Sequence, residues 1–168
     1  MICIDWQPEL LFYPPVSERC PRIICFLKRW LPVLAWMTII FAGSTDLLSS
    51  RNTSRVIGPI LRWFKRDVST ETIARVQLAV RKSGHVAEYA ILAILVWCAT
   101  RTAEDASWSW RAAWLALVIV AVYAATDEVH QAFVATRQGT VVDVVIDVGG
   151  GTAGLALLWC WGKWRRHW

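Results

Sequence analysis

Residues 141–161 read VVDVVIDVGGGTAGLALLWCW, and this stretch decides the fold. Its length suits a bilayer, whose hydrocarbon core of about 30 Å takes a helix of about 20 mostly apolar residues. Two carboxylates, Asp143 and Asp147, nevertheless stand inside it. An ionisable group at the centre of a membrane helix costs about 2.5–3.5 kcal/mol on insertion scales, so such groups usually face a partner, a cavity or a substrate. At 100° per residue, Asp143, Asp147, Gly150 and Gly154 fall on one narrow stripe. The spacing Gly150-x-x-x-Gly154 lets a neighbouring helix approach closely. Two carboxylates a turn apart can share a divalent cation or one cationic partner. An ion pair with Arg137, Arg81 or Lys82 is the structural alternative.

Upstream, an apolar run from about Arg111 continues as helix through Asp127-Glu-Val-His-Gln131, and residues 135–140 make a tight reversal. A further span covers about 84–100 and opens with the polar set Arg81-Lys-Ser-Gly-His85-Val-Ala-Glu88-Tyr89. Ser69 or Thr70 can cap a helix running through Arg81 into that span, with Glu71 favouring the positive end of its dipole. The first span is about 30–48, with a polar end at Gly43-Ser-Thr-Asp46. In the long connection 49–82, Arg55 to Arg66 mixes large apolar and basic side chains, the composition of a helix lying in the interface, which Gly58-Pro59 would break or start. The expected fold is therefore all-α and polytopic: four transmembrane helices (30–48, 84–100, 111–131, 141–161) plus an interfacial amphipathic helix. A tail, 1–29, precedes this single membrane domain of residues 30–161, and a basic tail, 162–168, follows it.

Composition agrees. Of 168 residues, 56% are hydrophobic and 18% charged, too apolar for an ordinary soluble domain. Twelve tryptophans, many near the ends of the apolar runs, suggest an aromatic belt at the membrane–water interface. The net charge of +5 comes from basic residues flanking apolar segments, so anionic lipid, not nucleic acid, is the expected partner. Five scattered cysteines without CxxC spacing argue against a disulfide framework. No cleavable signal peptide is expected, because the first 20 residues hold Asp5, Glu9 and three prolines. The short basic flanks favour cytoplasmic termini, although the basic 49–82 connection pulls the other way.

Four spans place the start of the second, the end of the third and the start of the fourth in one leaflet, the outer one if the termini are inside. His85, Asp127 to Gln131, Arg137, Asp143 and Asp147 should converge there. On the second span Lys82, His85 and Tyr89 share a face, with Arg81 and Glu88 on an adjacent one; on the third, Asp127, His130 and Gln131 share a face and Glu128 points about 100° away. His85 can move a proton or ligate phosphate or metal. Asp127 and His130 can ligate a metal together, or the aspartate can orient the imidazole. No Gly-rich phosphate loop, HExxH or GxSxG signature is present.

The order Arg81-Lys-x-x-His85-x-x-Glu88-Tyr89-x-x-Leu92, Asp127-Glu-x-His-Gln131-x-Phe133, Arg137-x-Gly139, Asp143-x-x-x-Asp147 and Gly150 resembles the VanZ-like family of small bacterial membrane proteins. The resemblance covers about residues 35–160. It implies a four-span protein of the bacterial cytoplasmic membrane, with His85, Glu88, Tyr89, Asp127, Glu128, Gln131, Arg137 and Asp143 as family-type positions. The family's name comes from an accessory protein of glycopeptide resistance. Gly139-x-x-x-Asp143-x-x-x-Asp147 is also similar to the latter half of the CDP-alcohol phosphotransferase signature, whose first half is absent.

Two readings follow. In the first, the chain binds or acts on an amphiphilic phosphate-bearing envelope lipid, a polyprenyl phosphate or a phospholipid. Arg81, Lys82 and Arg137, with Tyr89 and Gln131, would hold substrate. Asp127, Asp143 and Asp147 would hold a magnesium-like ion. The catalytic candidates are His85, Glu88, Asp127, Glu128 and His130. In the second, the polar cluster is a structural ion-pair network, and the chain binds lipid, a glycopeptide or a partner protein without catalysis.

Overall fold

The computed structural model describes residues 22–44, 57–63, 67–101, 107–133 and 140–165. Four helices long and apolar enough to cross a membrane account for most of them: α1 (Arg22–Ser44), α2 (Thr70–Thr100), α3 (Trp110–Ala132) and α4 (Val141–Trp164). No strand occurs among the described residues. The chain is an all-α polytopic membrane protein.

Each later helix starts at a hydroxyl cap that satisfies an otherwise unpaired backbone N–H. Ser69 accepts from the Thr72 amide and Ser109 from the Ala112 amide. Thr140 and Asp143 form a reciprocal start to α4: Thr140 Oγ1 accepts from the Asp143 amide and donates to its carboxylate. The helices overrun the expected spans. α1 begins eight residues before Trp30, inside the expected tail, and the expected residues 45–48 lie outside the described ones. α2 extends unbroken from its Ser69 cap through Arg81, as the cap predicted. Its 31 residues span about 46 Å, so its first turns project past about 30 Å of hydrocarbon. α3 exceeds its expected bounds by one residue at each end, and α4 runs on to Trp164. In the first connection residues 57–63 are helical, with Ile60 and Trp63 exposed; 55–56 and 64–66 lie outside the described residues.

α2 is the central helix and packs on all three others, whereas α1 touches α2 and, more sparsely, α3. Among the described side chains of α1, Val33, Ile40 and Ser44 are buried, a single stripe at helical spacing; Trp30, Trp36 and Met37 are partly buried against the core, and most of the other large apolar side chains face outward. Three indole or phenol contacts pull α1 and α3 together around α2. Trp36 Nε1 donates to the Glu88 carbonyl at 2.9 Å, Tyr123 Oη donates to the Met37 carbonyl at 2.6 Å, and the Tyr89 and Tyr123 rings lie 6.3 Å apart.

α2 and α4 run parallel and unusually close. A Cβ placed on Gly150 would sit 2.6 Å from the Val86 carbonyl oxygen, and one on Gly154 2.7 Å from that of Ala90. Only glycine allows this approach, and the register it fixes brings Lys82 beside Asp143 and His85 beside Asp147. At the opposite end, Trp97 and Trp108 stack at 4.7 Å, the Arg101 guanidinium lies 4.6 Å above Trp97, and Arg29 donates to the Arg101 carbonyl. Exposed Trp110, Trp114 and Trp164 extend this aromatic end.

Candidate functional site

The polar residues of all four helices meet at one end of the bundle, as span counting requires. Ser44 closes α1, Lys82 to Tyr89 lie on α2, Asp127 to Gln131 end α3, and Thr140 to Asp147 begin α4. Cross-helix contacts fix the meeting: Ser44 with Asp127, Lys82 with Asp143, His85 with Asp147, and Thr140 with Glu128. Asp127, Glu128, Gln131 and Asp147 are all buried.

Three of the acidic groups are tied to the scaffold. Asp127 Oδ2 accepts from Ser44 Oγ at 2.7 Å and from Gln131 Nε2 at 2.9 Å. This joins the end of α1 to the end of α3. Glu128 Oε2 accepts from the Thr140 amide at 2.8 Å, tying the end of α3 to the start of α4. Asp143 pairs with Lys82 at 2.5 Å and with Thr140 at 2.9 Å, in a half-exposed position.

Asp147 is different. It is 0% exposed, and neither carboxylate oxygen has a hydrogen-bond partner among the described residues. The nearest polar atom named beside it is His85 Nδ1, at 3.6 Å, just beyond hydrogen-bond range. The Tyr89 hydroxyl and Asp127 Oδ1 are likewise buried without a hydrogen-bond partner among the described residues. Buried polar atoms are nearly always paired, so an unmet group signals a missing partner. Here the unmet groups cluster two turns into α4, about 9 Å beneath its start.

Several expectations need correction. His130 does not pair with Asp127, whose bonded oxygen is taken by Ser44 and Gln131. Its ring lies 4.5 Å from that of Phe41 on α1, and its Nδ1 has no hydrogen-bond partner among the described residues. The Asp127, Asp143 and Asp147 set is not gathered around a common point: among the described residues no group of three His, Cys, Asp or Glu side chains could hold a metal ion. Lys82 occupies Asp143 instead. Glu128, though it leaves α3 at a different angle from Asp127, is also buried, and the backbone amide of Thr140 at the start of α4 donates to it. The Lys82, His85 and Tyr89 face does point at α4. Arg81 lies within electrostatic reach of Glu128 and Asp143, and Glu88 within reach of Asp147. Arg137 lies outside the described residues. Ser44 and Thr140 were missed; Thr140-x-x-Asp143 is readable as a helix-start pattern, whereas nothing local pairs Ser44 with Asp127.

A family profile described as VanZ/LLP1 matches residues 29–162. The chain belongs to the VanZ/LLP1 family. The match takes in all four membrane-span-like helices except the first turns of α1 and the last residues of α4, and so includes every polar residue of the site. No curated protein and no solved structure matched the chain.

Proposed function

We propose that this VanZ/LLP1 protein binds the polar head of an amphiphilic, phosphate-bearing envelope lipid, a phospholipid or a polyprenyl phosphate, at the convergence of its four helices. The observation that carries the reading is Asp147. A carboxylate buried at 0% exposure with no hydrogen bond is expensive, and structure-only roles favour groups that are satisfied. The site lies about 9 Å beneath the start of α4, near enough to the helix ends for an amphiphile's polar part to reach it while its tail stays in the bilayer. Arg81 and Lys82 on α2 offer phosphate contacts near the helix ends. His85, with its Nδ1 facing Asp147, is placed to exchange a proton with a bound head group.

The non-catalytic alternative gains from Asp127, Glu128 and Asp143. Their hydrogen bonds bridge helices, so Glu128, Asp143 and one oxygen of Asp127 serve the scaffold, and the ligand role narrows to Asp147, His85, Tyr89 and the second Asp127 oxygen. With the termini in the cytoplasm the site would open on the outer leaflet of the bacterial cytoplasmic membrane.

The test is lipid binding by native mass spectrometry on detergent-purified protein, offered phosphatidylglycerol and polyprenyl phosphate, for wild type and Asp147→Asn. The expected result is retention of one lipid per chain by wild type, lost or weakened at least tenfold in the variant, with thermal stability unchanged or raised. Removing an unpaired buried charge does not destabilise, whereas breaking a buried pair costs about 3–5 kcal/mol. A variant that retains lipid as wild type does, and melts far lower, would make Asp147 structural and refute the proposal.

A further inference from the structure

The charges around Asp147 do not balance. Glu88, Asp127, Glu128 and Asp143 all lie within electrostatic reach of it, so five carboxylates share this end of the bundle. Arg81 and Lys82 stand one turn nearer the start of α2 than His85, and Lys82 is already engaged by Asp143. The deep part of the site is thus acidic and its rim basic.

A second observation, independent of the acid count, points to an absent ligand. The Tyr89 side chain is 0% exposed, yet its hydroxyl has no hydrogen-bond partner among the described residues. It faces the same cluster, within reach of Asp127, Asp147 and Glu128. The other unmet atoms there, both Asp147 oxygens and Asp127 Oδ1, are carboxylate oxygens, whose lone pairs accept hydrogen bonds. A ligand that supplies several hydrogen-bond donors and positive charge at depth would meet them. Its anionic part must sit toward Arg81 and Lys82. Lys82 lies beside Asp143, and Asp147 is one turn, about 6 Å, deeper on α4, the reach of a two-carbon linker, while Tyr89 starts about two turns below Lys82 on α2.

Resting on the lipid-head reading above, we infer that the site selects a zwitterionic head group, an ammonium held by Asp147, Asp127 and Tyr89 with its phosphate at Arg81 and Lys82. Phosphatidylethanolamine has this chemistry. A polyprenyl phosphate brings only the anion, and phosphatidylglycerol brings hydroxyl donors without the charge.

The experiment is a thermal titration of the detergent-purified full chain with phosphatidylethanolamine and with phosphatidylglycerol of identical acyl chains, alongside soluble phosphoethanolamine. Wild type should gain roughly 5–10 °C in Tm at about 100 times the Kd of the ethanolamine lipid. At least tenfold more phosphatidylglycerol should be needed for the same shift. Asp147→Asn should abolish the preference, and Tyr89→Phe should weaken it, providing a second reading if the first variant does not fold. Equal responses to the two lipids overturn the ammonium inference and leave the phosphate-lipid reading standing, whereas no response to either lipid overturns both. Wild-type preference in Tyr89→Phe also overturns it, as does a response to soluble phosphoethanolamine without one to its lipid.

Discussion

Replacing Gly150 with alanine tests the contact on which the site's geometry depends. The added Cβ would lie 2.6 Å from the Val86 carbonyl oxygen and 2.9 Å from its Cα, where ordinary contact begins at 3.4 Å. The obstructing atoms are backbone, so no side chain can rotate away, and α2 and α4 must part by about 0.8 Å. Overpacking of this kind costs about 1–3 kcal/mol. Alanine also gains up to ~1 kcal/mol over glycine in helix propensity, which would hide part of the loss. Gly149→Ala supplies the control: it is the preceding residue on the same helix, exposed, with nothing within 4 Å of its would-be Cβ, so the propensity gain is shared and the clash is not. The difference between the two variants should then be about 1–3 kcal/mol, or roughly 2–12 °C in Tm for a chain of this length. Intrinsic tryptophan fluorescence of the detergent-purified proteins, with twelve indoles as reporters, reads it directly. The same parting would stretch the 3.6 Å approach of His85 to Asp147, so lipid retention should fall in Gly150→Ala and persist in Gly149→Ala. Equal melting of the two variants would refute the close parallel packing of α2 and α4, and with it the register that builds the site.

Ser44→Ala should lower stability by about 1–3 kcal/mol, seen in the same melting assay, because it strips a hydrogen bond from a buried carboxylate. Asp127→Ala should cost more, since it orphans both Ser44 and Gln131. Lys82→Gln should change stability by less than ~1 kcal/mol, and the small effect should shrink in high salt, because the Lys82–Asp143 pair is partly solvated. A drop of several kcal/mol there would mean that the pair is structural to a degree its exposure does not suggest.

The helices and the stripe on α4 were legible because both follow from periodicity. Asp143, Asp147, Gly150 and Gly154 share a face at 100° per residue, and that face does meet the Lys82–His85–Tyr89 face of α2. What periodicity omits is the identity of the partner across the gap. Three consecutive glycines, Gly149 to Gly151, look alike in sequence, yet Gly149 is open and Gly150 is pressed against backbone. Asp127 and His130 share a face of an isolated helix, but Ser44 and Gln131 engage one oxygen of the aspartate and Phe41 packs beside the imidazole. Glu128 lies off that face and is buried all the same, and the backbone amide of Thr140, at the start of another helix, meets it. The early start of α1 escaped for a different reason: the basic residues of its first turns read as a flank and not as helix.

The division of labour among the five carboxylates follows from where close packing is possible. Glycines at 150 and 154 let α2 and α4 meet backbone to backbone, and that contact excludes side chains and solvent from the seam beneath the helix ends. Any carboxylate just above it must find a partner on the facing helix. Asp143, nearest the membrane surface, reaches a long flexible lysine. Asp147, one turn deeper, meets only an imidazole at 3.6 Å, too far for a hydrogen bond. A longer basic residue at position 85 would have satisfied it, and an asparagine or alanine at 147 would have removed the burden altogether. Natural chains that need only stability have easy routes to it, so a buried, unsatisfied carboxylate held between tight helices is more economically explained by a ligand than by the scaffold. The tied residues around it, Ser44 with Asp127 and Thr140 with Glu128, then have a common purpose, holding the ends of α1, α3 and α4 in place around Asp147.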